Sequence, residues 1–169
     1  YASAGVGGTQ HLSAEMLLNE ADIKVRHIPY KGSSPAQADF IGNHVPLMVD
    51  SVTAAIPLIA AGSAIPLAVT TKARLTQLSE VPTVAESGYP DFEATGWAAL
   101  LTPKGTPQEI QQYLNQQVVD ILNSDAMKTA LEERGAQPLP QSIEQAKAFI
   151  DTEIVKWGDV VKKSGASID

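Results

Sequence analysis

The first seventy residues of this sequence predict an α/β fold with a mostly parallel, helix-covered sheet. Segments rich in β-branched and apolar residues alternate with segments whose apolar residues recur at helical spacing. Turns that contain glycine or proline separate these segments. Such alternation is typical of βαβ units, in which helices cover the faces of a sheet of parallel strands.

The first strand is predicted at residues 1–4, and a glycine loop at residues 5–9 leads from it into a helix. Thr9 is the expected N-cap of this helix, because its hydroxyl can accept a hydrogen bond from a free amide of the first turn. One face of the helix carries apolar residues at helical spacing, namely Ala14, Leu17, Leu18 and Ala21.

Three further strands are predicted at residues 25–30, 45–49 and 65–70, with a short helix between the first two of them. Pro35 suits the first turn of that helix because it lacks an amide hydrogen, and Gly42 is expected to end it. The apolar face of this helix is formed by Ala36, Phe40 and Ile41.

A third helix is predicted at residues 52–61, with Asp50 and Ser51 as its caps. Pro57 is compatible with this helix only if the helix begins near Thr53 or Ala54, because the missing amide then falls in the first turn. A helix that begins earlier would be kinked at the proline.

The second half of the chain is predicted to be helical. Residues 71–91 form a long polar connection, and an extended segment follows at residues 92–101. Capping boxes at residues 106–109 and 142–145 place Thr or Ser three residues before Glu or Gln. The predicted helices cover residues 107–122, 125–134 and 143–161.

Composition excludes several classes of function. Hydrophobic residues make up 44% and charged residues 18%, which is typical of a globular chain. The net charge is -7 without a basic cluster, so no nucleic-acid partner is expected. The sequence has no cysteine for a disulfide or a zinc-thiolate site, and no apolar run of the ~18 residues that a membrane-spanning helix requires.

The glycine loop is the feature with most chemical content, because it joins the carboxyl end of a strand to the amino end of a helix. Free amides and the helix dipole at such a place favour an anion, and glycine lets a ligand approach the backbone. A tight turn without a ligand is an equally weighted alternative. Gln10 stands where a dinucleotide fingerprint has its third glycine, and no Lys-Ser or Lys-Thr pair closes a Walker loop.

The remaining polar residues indicate binding rather than catalysis. His11, just inside the first helix, could donate to a ligand, although a lone histidine is more often structural. Asp50 follows a strand at the edge where open α/β sheets bind ligands, and it also suits a helix cap. No catalytic residue, metal or cofactor is predicted, since nucleophile and metal motifs are absent from the sequence. Trp97 and Trp157 are expected to be packing residues.

Seven sequence blocks are spread in order along the chain. They are YASAGVGGTQHL (1–12), IPYKG (28–32), LMVD (47–50), LAVT (67–70), VPTVAESG (81–88), LTPKGTP (101–107) and KWG (156–158). Together these blocks resemble the extracytoplasmic solute receptors of tripartite tricarboxylate transporters, the Bug or TctC family.

The resemblance implies a periplasmic-binding-protein type II-like lobe that closes with a second lobe on a small carboxylate. This ligand would be a dicarboxylate, a tricarboxylate, an amino acid or an aromatic acid. Gly7, Gly8, Thr9 and His11 would meet one carboxylate group, and Asp50 would face the remainder of the ligand. A periplasmic location, partnership with the membrane components of the transporter and the lack of a cofactor are also implied.

The family resemblance further implies a division of the chain, because family members are considerably longer and this chain would lack their N-terminal part. Residues 1–96 would form the ligand-binding lobe. Residues 97–169 would form a crossover strand and C-terminal helices of the other, incomplete lobe. The apolar faces of these helices would need a partner, which could be the rest of the protein, the remaining lobe or a second copy in a homodimer.

Two other classes of function fit parts of the sequence. A nucleotide-using or hydrolytic α/β enzyme could carry the glycine loop as an anion site, and a plain interaction module could be this short. The ordered family blocks, and secondarily the lack of catalytic motifs, favour the receptor. Ligand binding without turnover would separate the receptor from both alternatives.

Overall fold

The computed structural model describes residues 1–166 and contains a small parallel sheet. Strand β1 (Ala2–Ser3) pairs with β2 (Ile28–Pro29), and Ala2 also forms an isolated parallel bridge with Met48. The resulting spatial order is β2, β1 and the segment at Met48. The predicted parallel α/β arrangement is therefore confirmed, and the part of the predicted C-terminal segment at residues 167–169 lies outside the described residues.

Each strand is shorter than the sequence pattern predicted. Pro29 and Pro46 have no amide hydrogen, so neither can donate to a neighbouring strand. Hydrogen bonds nevertheless continue past the ladder, because the Gly32 amide donates to the carbonyl of Ala4 at 3.0 Å. The fourth predicted strand is reduced to an isolated parallel bridge between Val69 and Thr83, whose pairing with the polar connection was not predicted.

Three helices follow the strands of the N-terminal region. They are α1 (Thr9–Glu20), α2 (Ser33–Ile41) and α3 (Val52–Ala60). A 3-10 helix covers Thr76–Leu78 in the connection. The second half contains α4 (Gln108–Asn123), α5 (Asp125–Glu132) and α6 (Ile143–Ser164). Among residues 1–166, no helix is long and apolar enough to cross a membrane.

The helix caps agree with the sequence in two places. Ser51 accepts a hydrogen bond from the Ala54 amide at 3.4 Å, as predicted. Ser142 and Gln145 form the predicted reciprocal capping box, with bonds of 3.0 and 3.2 Å between the amide of each residue and the side chain of the other.

Four details of the helix ends were predicted wrongly. Gly8, not Thr9, is the N-cap of α1, since Thr9 is already helical. Pro107, not Thr106, is the N-cap of α4. The Thr106 hydroxyl donates instead to the Pro103 carbonyl at 2.9 Å. Helix α3 begins at Val52, so Pro57 lies inside the helix instead of in its first turn. Ser51, not Asp50, is the N-cap of α3, and the Asp50 carboxylate accepts the hydrogen bonds described below.

The chain divides into two compact units. One unit comprises Tyr1–Gly96 together with the C-terminal segment from Trp157, and the other comprises Trp97–Lys156. In the first unit, Phe92 is almost completely buried with Val84 and Ala94, and Trp157 packs against this cluster. In the second unit, the Trp97 indole donates to Glu153 at 3.0 Å and meets Phe149 edge-on. The assignment of residues 97–169 to a second lobe stays a prediction.

Candidate functional site

The glycine loop lies between the end of β1 and the start of α1, and its backbone requires glycine at two positions. Gly5 has φ 149° and Gly7 has φ 75°, both in the region that residues with a side chain rarely adopt. Gly8 is extended, with φ -73°, and any residue could adopt its backbone conformation. The shape of the loop therefore depends on Gly5 and Gly7, while a Cβ added at Gly8 would make ordinary contact with the Gln10 side chain at 3.4 Å.

The amides at the amino end of α1 are the strongest binding feature of the loop. The Leu12 amide donates to the Gly8 carbonyl at 3.0 Å, which is the first bond of the helix. Within residues 1–166, the amides of Gly8, Thr9 and Gln10 donate to no protein acceptor. Free amides at a helix N-terminus, reinforced by the helix dipole, can hold an anion.

Thr9 adds an exposed hydroxyl to these amides. Its side chain lies beside Gly96, where an added Cβ would come within 3.5 Å of Thr9 Cγ2 and 3.6 Å of its Oγ1. A glycine at position 96 therefore leaves the Thr9 side chain accessible from that direction. Gly96 was not identified from the sequence, because its proximity to Thr9 depends on the path of the chain over the 86 intervening residues.

His11 is brought to the loop, but it lies beneath the surface. Only 6% of the residue is exposed, and its Nδ1 accepts a hydrogen bond from the Gly7 amide at 3.1 Å. An accepting Nδ1 carries no proton, so the ring is neutral in this arrangement. Burial lowers the pKa of His11, and the nearby Glu15 carboxylate, at 3.9 Å from Nε2, partly opposes this effect.

His11 belongs to a histidine cluster formed by Tyr1, Ser3, His11, Glu15 and His27, of which Glu15 and His27 are half-buried. The two imidazole rings stack at 4.0 Å, and the Tyr1 ring stacks on His27 at 4.8 Å. The Tyr1 hydroxyl donates to Glu15 at 2.6 Å, and His27 Nε2 lies 2.7 Å from Ser3 Oγ. Each member is therefore held by at least one other member.

The histidine cluster favours the neutral form of its rings. Burial, with a smaller contribution from His11, lowers the pKa of His27 to about 4. Burial and the hydrogen bond to Glu15 raise the pKa of the Tyr1 phenol. Sequence reasoning treated His27 as a strand residue and missed the cluster, although the parallel pairing of residues 2 and 28 places Tyr1 and His27 side by side.

Asp50 lies past the end of the strand segment at Met48 and is half-buried. Its Oδ1 accepts from the Ser33 hydroxyl at 2.6 Å and from the Ser51 amide at 2.8 Å. Its Oδ2 accepts from the Gln37 side-chain amide at 2.8 Å. Three donors thus fix the carboxylate between α2 and α3, and no sequence motif marks Ser33 and Gln37 as its partners.

The glycine loop and Asp50 are both at the carboxyl-end edge of the sheet. The chain runs from β1 to β2 on one side and then returns to pair on the other side of β1, near Met48. The connections change direction at β1, and open α/β sheets bind ligands at such a topological switch point. These features give the molecule the architecture of an open, parallel α/β lobe.

Comparison with known proteins identifies the family. The family model described as "Tripartite tricarboxylate transporter family receptor" matches residues 1–166. The chain belongs to this receptor family, which is also called TctC or Bug. The family resemblance inferred from the sequence blocks is thereby confirmed.

Relatives in other bacteria match nearly the whole chain. Protein BugT from Bordetella pertussis is 35% identical over 168 residues, which cover 99% of this chain and 52% of BugT. A protein encoded in the clcB-clcD intergenic region of Pseudomonas knackmussii is 33% identical over 94% of both chains. The chain spans about half the length of BugT and of a relative from Pseudomonas sp. strain P51.

Solved structures confirm the fold class. The Rhodopseudomonas palustris protein Rpa4515, solved with adipate, superimposes with a TM-score of 0.88 at 38% identity over 99% of this chain and 56% of its own. The periplasmic binding protein BugD gives a TM-score of 0.82 at 30% identity, over 98% and 56%. MatC from R. palustris, with bound malate, gives 0.78 at 28%, over 95% and 56%. The chain has the fold of a periplasmic-binding-protein lobe.

Proposed function

We propose that this chain forms the carboxylate-gripping part of a periplasmic receptor that captures a small organic acid for a tripartite tricarboxylate transporter. The observation that carries this proposal is the set of free amides at Gly8, Thr9 and Gln10, at the switch point of the sheet. Family membership and the adipate and malate in two structural neighbours support the same chemistry.

In this proposal the residues of the glycine loop bind one carboxylate group. The backbone of Gly7 and Gly8 lets the acid approach closely, and the Gly8 and Thr9 amides donate to its oxygens. The Thr9 hydroxyl is a further donor, and His11 supports the loop from below by accepting from the Gly7 amide. Asp50 faces the remainder of the ligand, where an amine or hydroxyl group would suit a carboxylate.

The acidic charge of the chain is compatible with an acidic ligand. Backbone amides and a helix dipole hold an anion without any arginine or lysine, so the net charge of -7 does not exclude an acidic ligand. The three donors to Asp50 also reduce the repulsion between its carboxylate and the ligand.

Binding without chemistry is part of the proposal. The contact between Ser3 and His27 resembles a nucleophile and base pair, but Ser3 is completely buried and has no access to a substrate. The proposed receptor passes its ligand unchanged to the membrane components of the transporter.

Nuclear magnetic resonance titration of the 169-residue chain tests this function. We expect adipate and malate to shift the amide signals of Gly8 and Thr9 in a saturable manner. Adipamide, which has the length of adipate without its charges, is the matched control and should shift them little. Equal shifts with adipate and adipamide, or no shift with either acid, would contradict the proposed carboxylate site.

A further inference from the structure

We propose that His11 is a positioning residue, which keeps the glycine loop in its binding shape only while its Nδ1 is unprotonated. This inference rests on the proposed function for its effect on ligand affinity. Its structural part, the coupling between the imidazole and the loop, stands on the geometry of the histidine cluster alone.

A hydrogen bond joins the glycine loop to helix α1, which follows it. Gly7 has a left-handed backbone, with φ 75°, and its amide donates to His11 Nδ1 at 3.1 Å. The free amides of Gly8 and Thr9 follow immediately along the chain. Because Gly7 determines the direction in which the chain enters α1, a bond that fixes Gly7 also fixes these two donors.

The imidazole ring of His11 is held in place by its neighbours. His11 is buried, and the ring of His27 covers it at 4.0 Å with an interplanar angle of 15°. Glu15 lies 3.9 Å from Nε2 and is itself held by the Tyr1 hydroxyl at 2.6 Å. The ring therefore has little freedom to turn away from Gly7.

Protonation of His11 Nδ1 would break its hydrogen bond with the Gly7 amide. A proton on Nδ1 would place two donors, the imidazolium N–H and the Gly7 amide, against each other at 3.1 Å. Glu15 would stabilise the charged His11 ring, whereas burial opposes its positive charge. Burial dominates and lowers the pKa of His11, so the bond is present at neutral pH and is lost on acidification.

Two substitutions distinguish the effect of the Nδ1 acceptor from the effect of filling the space of the ring. His11→Asn places a side-chain oxygen near the position of Nδ1 and does not titrate, whereas His11→Leu fills the space and removes the acceptor. At pH 7.5 we expect His11→Leu to weaken adipate binding roughly five- to tenfold, the value of one hydrogen bond, and His11→Asn to recover most of the affinity. His44→Asn, at an exposed histidine outside the cluster, is the matched control.

Acidification provides the readout that a merely structural role would not change. In the ligand-free wild-type chain, the Gly7 amide signal should move with the same midpoint as the imidazole ¹⁵N signals of His11. In His11→Asn the Gly7 signal should stay nearly constant over the same pH range. As the pH is lowered, the adipate affinity of the wild type should fall more steeply than that of His11→Asn, in which residue 11 no longer takes up a proton.

Three results would overturn the inference: a Gly7 signal that ignores the His11 titration, a His11→Leu chain that binds as wild type, or a His11→Asn chain no better than His11→Leu. The first of these needs no variant, so it holds even if His11→Leu does not fold. If Gly7 follows His11 while no chain binds adipate, the positioning role is supported and the proposed carboxylate function fails.

Discussion

Thr9 combines an exposed hydroxyl with a free amide at the first position of α1. Thr9→Val keeps the shape of the side chain and removes only the hydroxyl. We expect this substitution to reduce carboxylate affinity about ten- to a hundredfold, because a hydrogen bond to a charged group contributes ~1.5 to 3 kcal/mol. Calorimetry with malate measures the change, and Thr129→Val on α5 is the control. Equal affinities in both variants would remove Thr9 from the site.

Asp50 accepts a hydrogen bond from Ser33 at the start of α2, and in the proposed function it also faces the ligand. Asp50→Ala should weaken malate more than succinate, because only malate carries a hydroxyl for the carboxylate to accept from. Calorimetric affinities for the two acids, in this variant and in Asp50→Asn, measure the difference. If both acids weaken alike, Asp50 serves only the contacts with Ser33 and Gln37.

His27 makes the stability of the fold depend on pH. Its pKa is lowered from 6.5 to about 4, so the unfolded chain binds more protons between these values. The stabilising effect is complete above about pH 6.5 and is lost progressively towards pH 4. We expect the free energy of unfolding to fall by roughly 1 to 2 kcal/mol over this range, because solvent screens a partly exposed ring.

Urea denaturation at pH 7.5 and pH 4.5 measures this loss, which includes contributions from other titrating groups. His27→Phe keeps an aromatic ring stacked between Tyr1 and His11 and removes the group that titrates. The variant should therefore lose less stability than the wild type on acidification. An identical loss in both chains would show that His27 does not contribute.

The helix ends provide a matched comparison at the scale of single elements. Ser142 completes a capping box at α6, whereas the Thr106 hydroxyl donates to a carbonyl before α4 and caps no amide. Ser142→Ala should reduce the free energy of unfolding by about 1 kcal/mol, the typical value of a lost N-cap. Thr106→Ala should cost clearly less in the same denaturation experiment. Equal losses would mean that the two hydroxyls have equal structural roles.

The capping boxes also show where local patterns stop being sufficient. Residues 106–109 and 142–145 have the same sequence signature, yet only the second forms the reciprocal bonds. Pro107 occupies the N-cap position of α4 and has no side-chain acceptor, so the first box cannot form there. The signature predicted both helices correctly, but the position at which each helix begins decided which hydroxyl became a cap.

At the scale of the whole molecule, the unit formed by Trp97–Lys156 leaves large apolar side chains exposed. Leu100 is 71% exposed and Leu101 is 74% exposed, and no residue of α4 is fully buried. Each large apolar side chain that becomes fully buried contributes ~1.5 to 3 kcal/mol, so covering a few of them would stabilise an association considerably. Such a surface is expected to find a partner.

We therefore expect the isolated 169-residue chain to dimerise or aggregate and to bind carboxylates only weakly. Light scattering measures the association, and the double substitution Leu100→Gln and Leu101→Gln should reduce it. Calorimetry on the same samples measures ligand affinity. A stable wild-type monomer that binds an acid tightly would show that these apolar residues need no partner and that one loop is sufficient.

The sequence by itself determined the alternation of strands and helices, the position of the glycine loop, the Ser51 cap and the membership of the receptor family. These features are written in short stretches, since helical spacing, capping and turn chemistry act over a few neighbouring residues. The glycine loop, His11 and Asp50 were noticed from local position, and the roles proposed for Gly7, Gly8, Thr9, His11 and Asp50 came from the family resemblance.

Only the tertiary structure decided what those residues touch. Parallel pairing of β1 with β2 brings Tyr1 and His27 together and lets the first turns of α1 add His11 and Glu15 to them. The same folding places Ser33 and Gln37 on Asp50, and Gly96 beside Thr9. No local pattern records these contacts, because each joins residues whose separation along the chain is set by the path of intervening elements. The packing of those elements therefore decides which side chains are neutral and which amides are free.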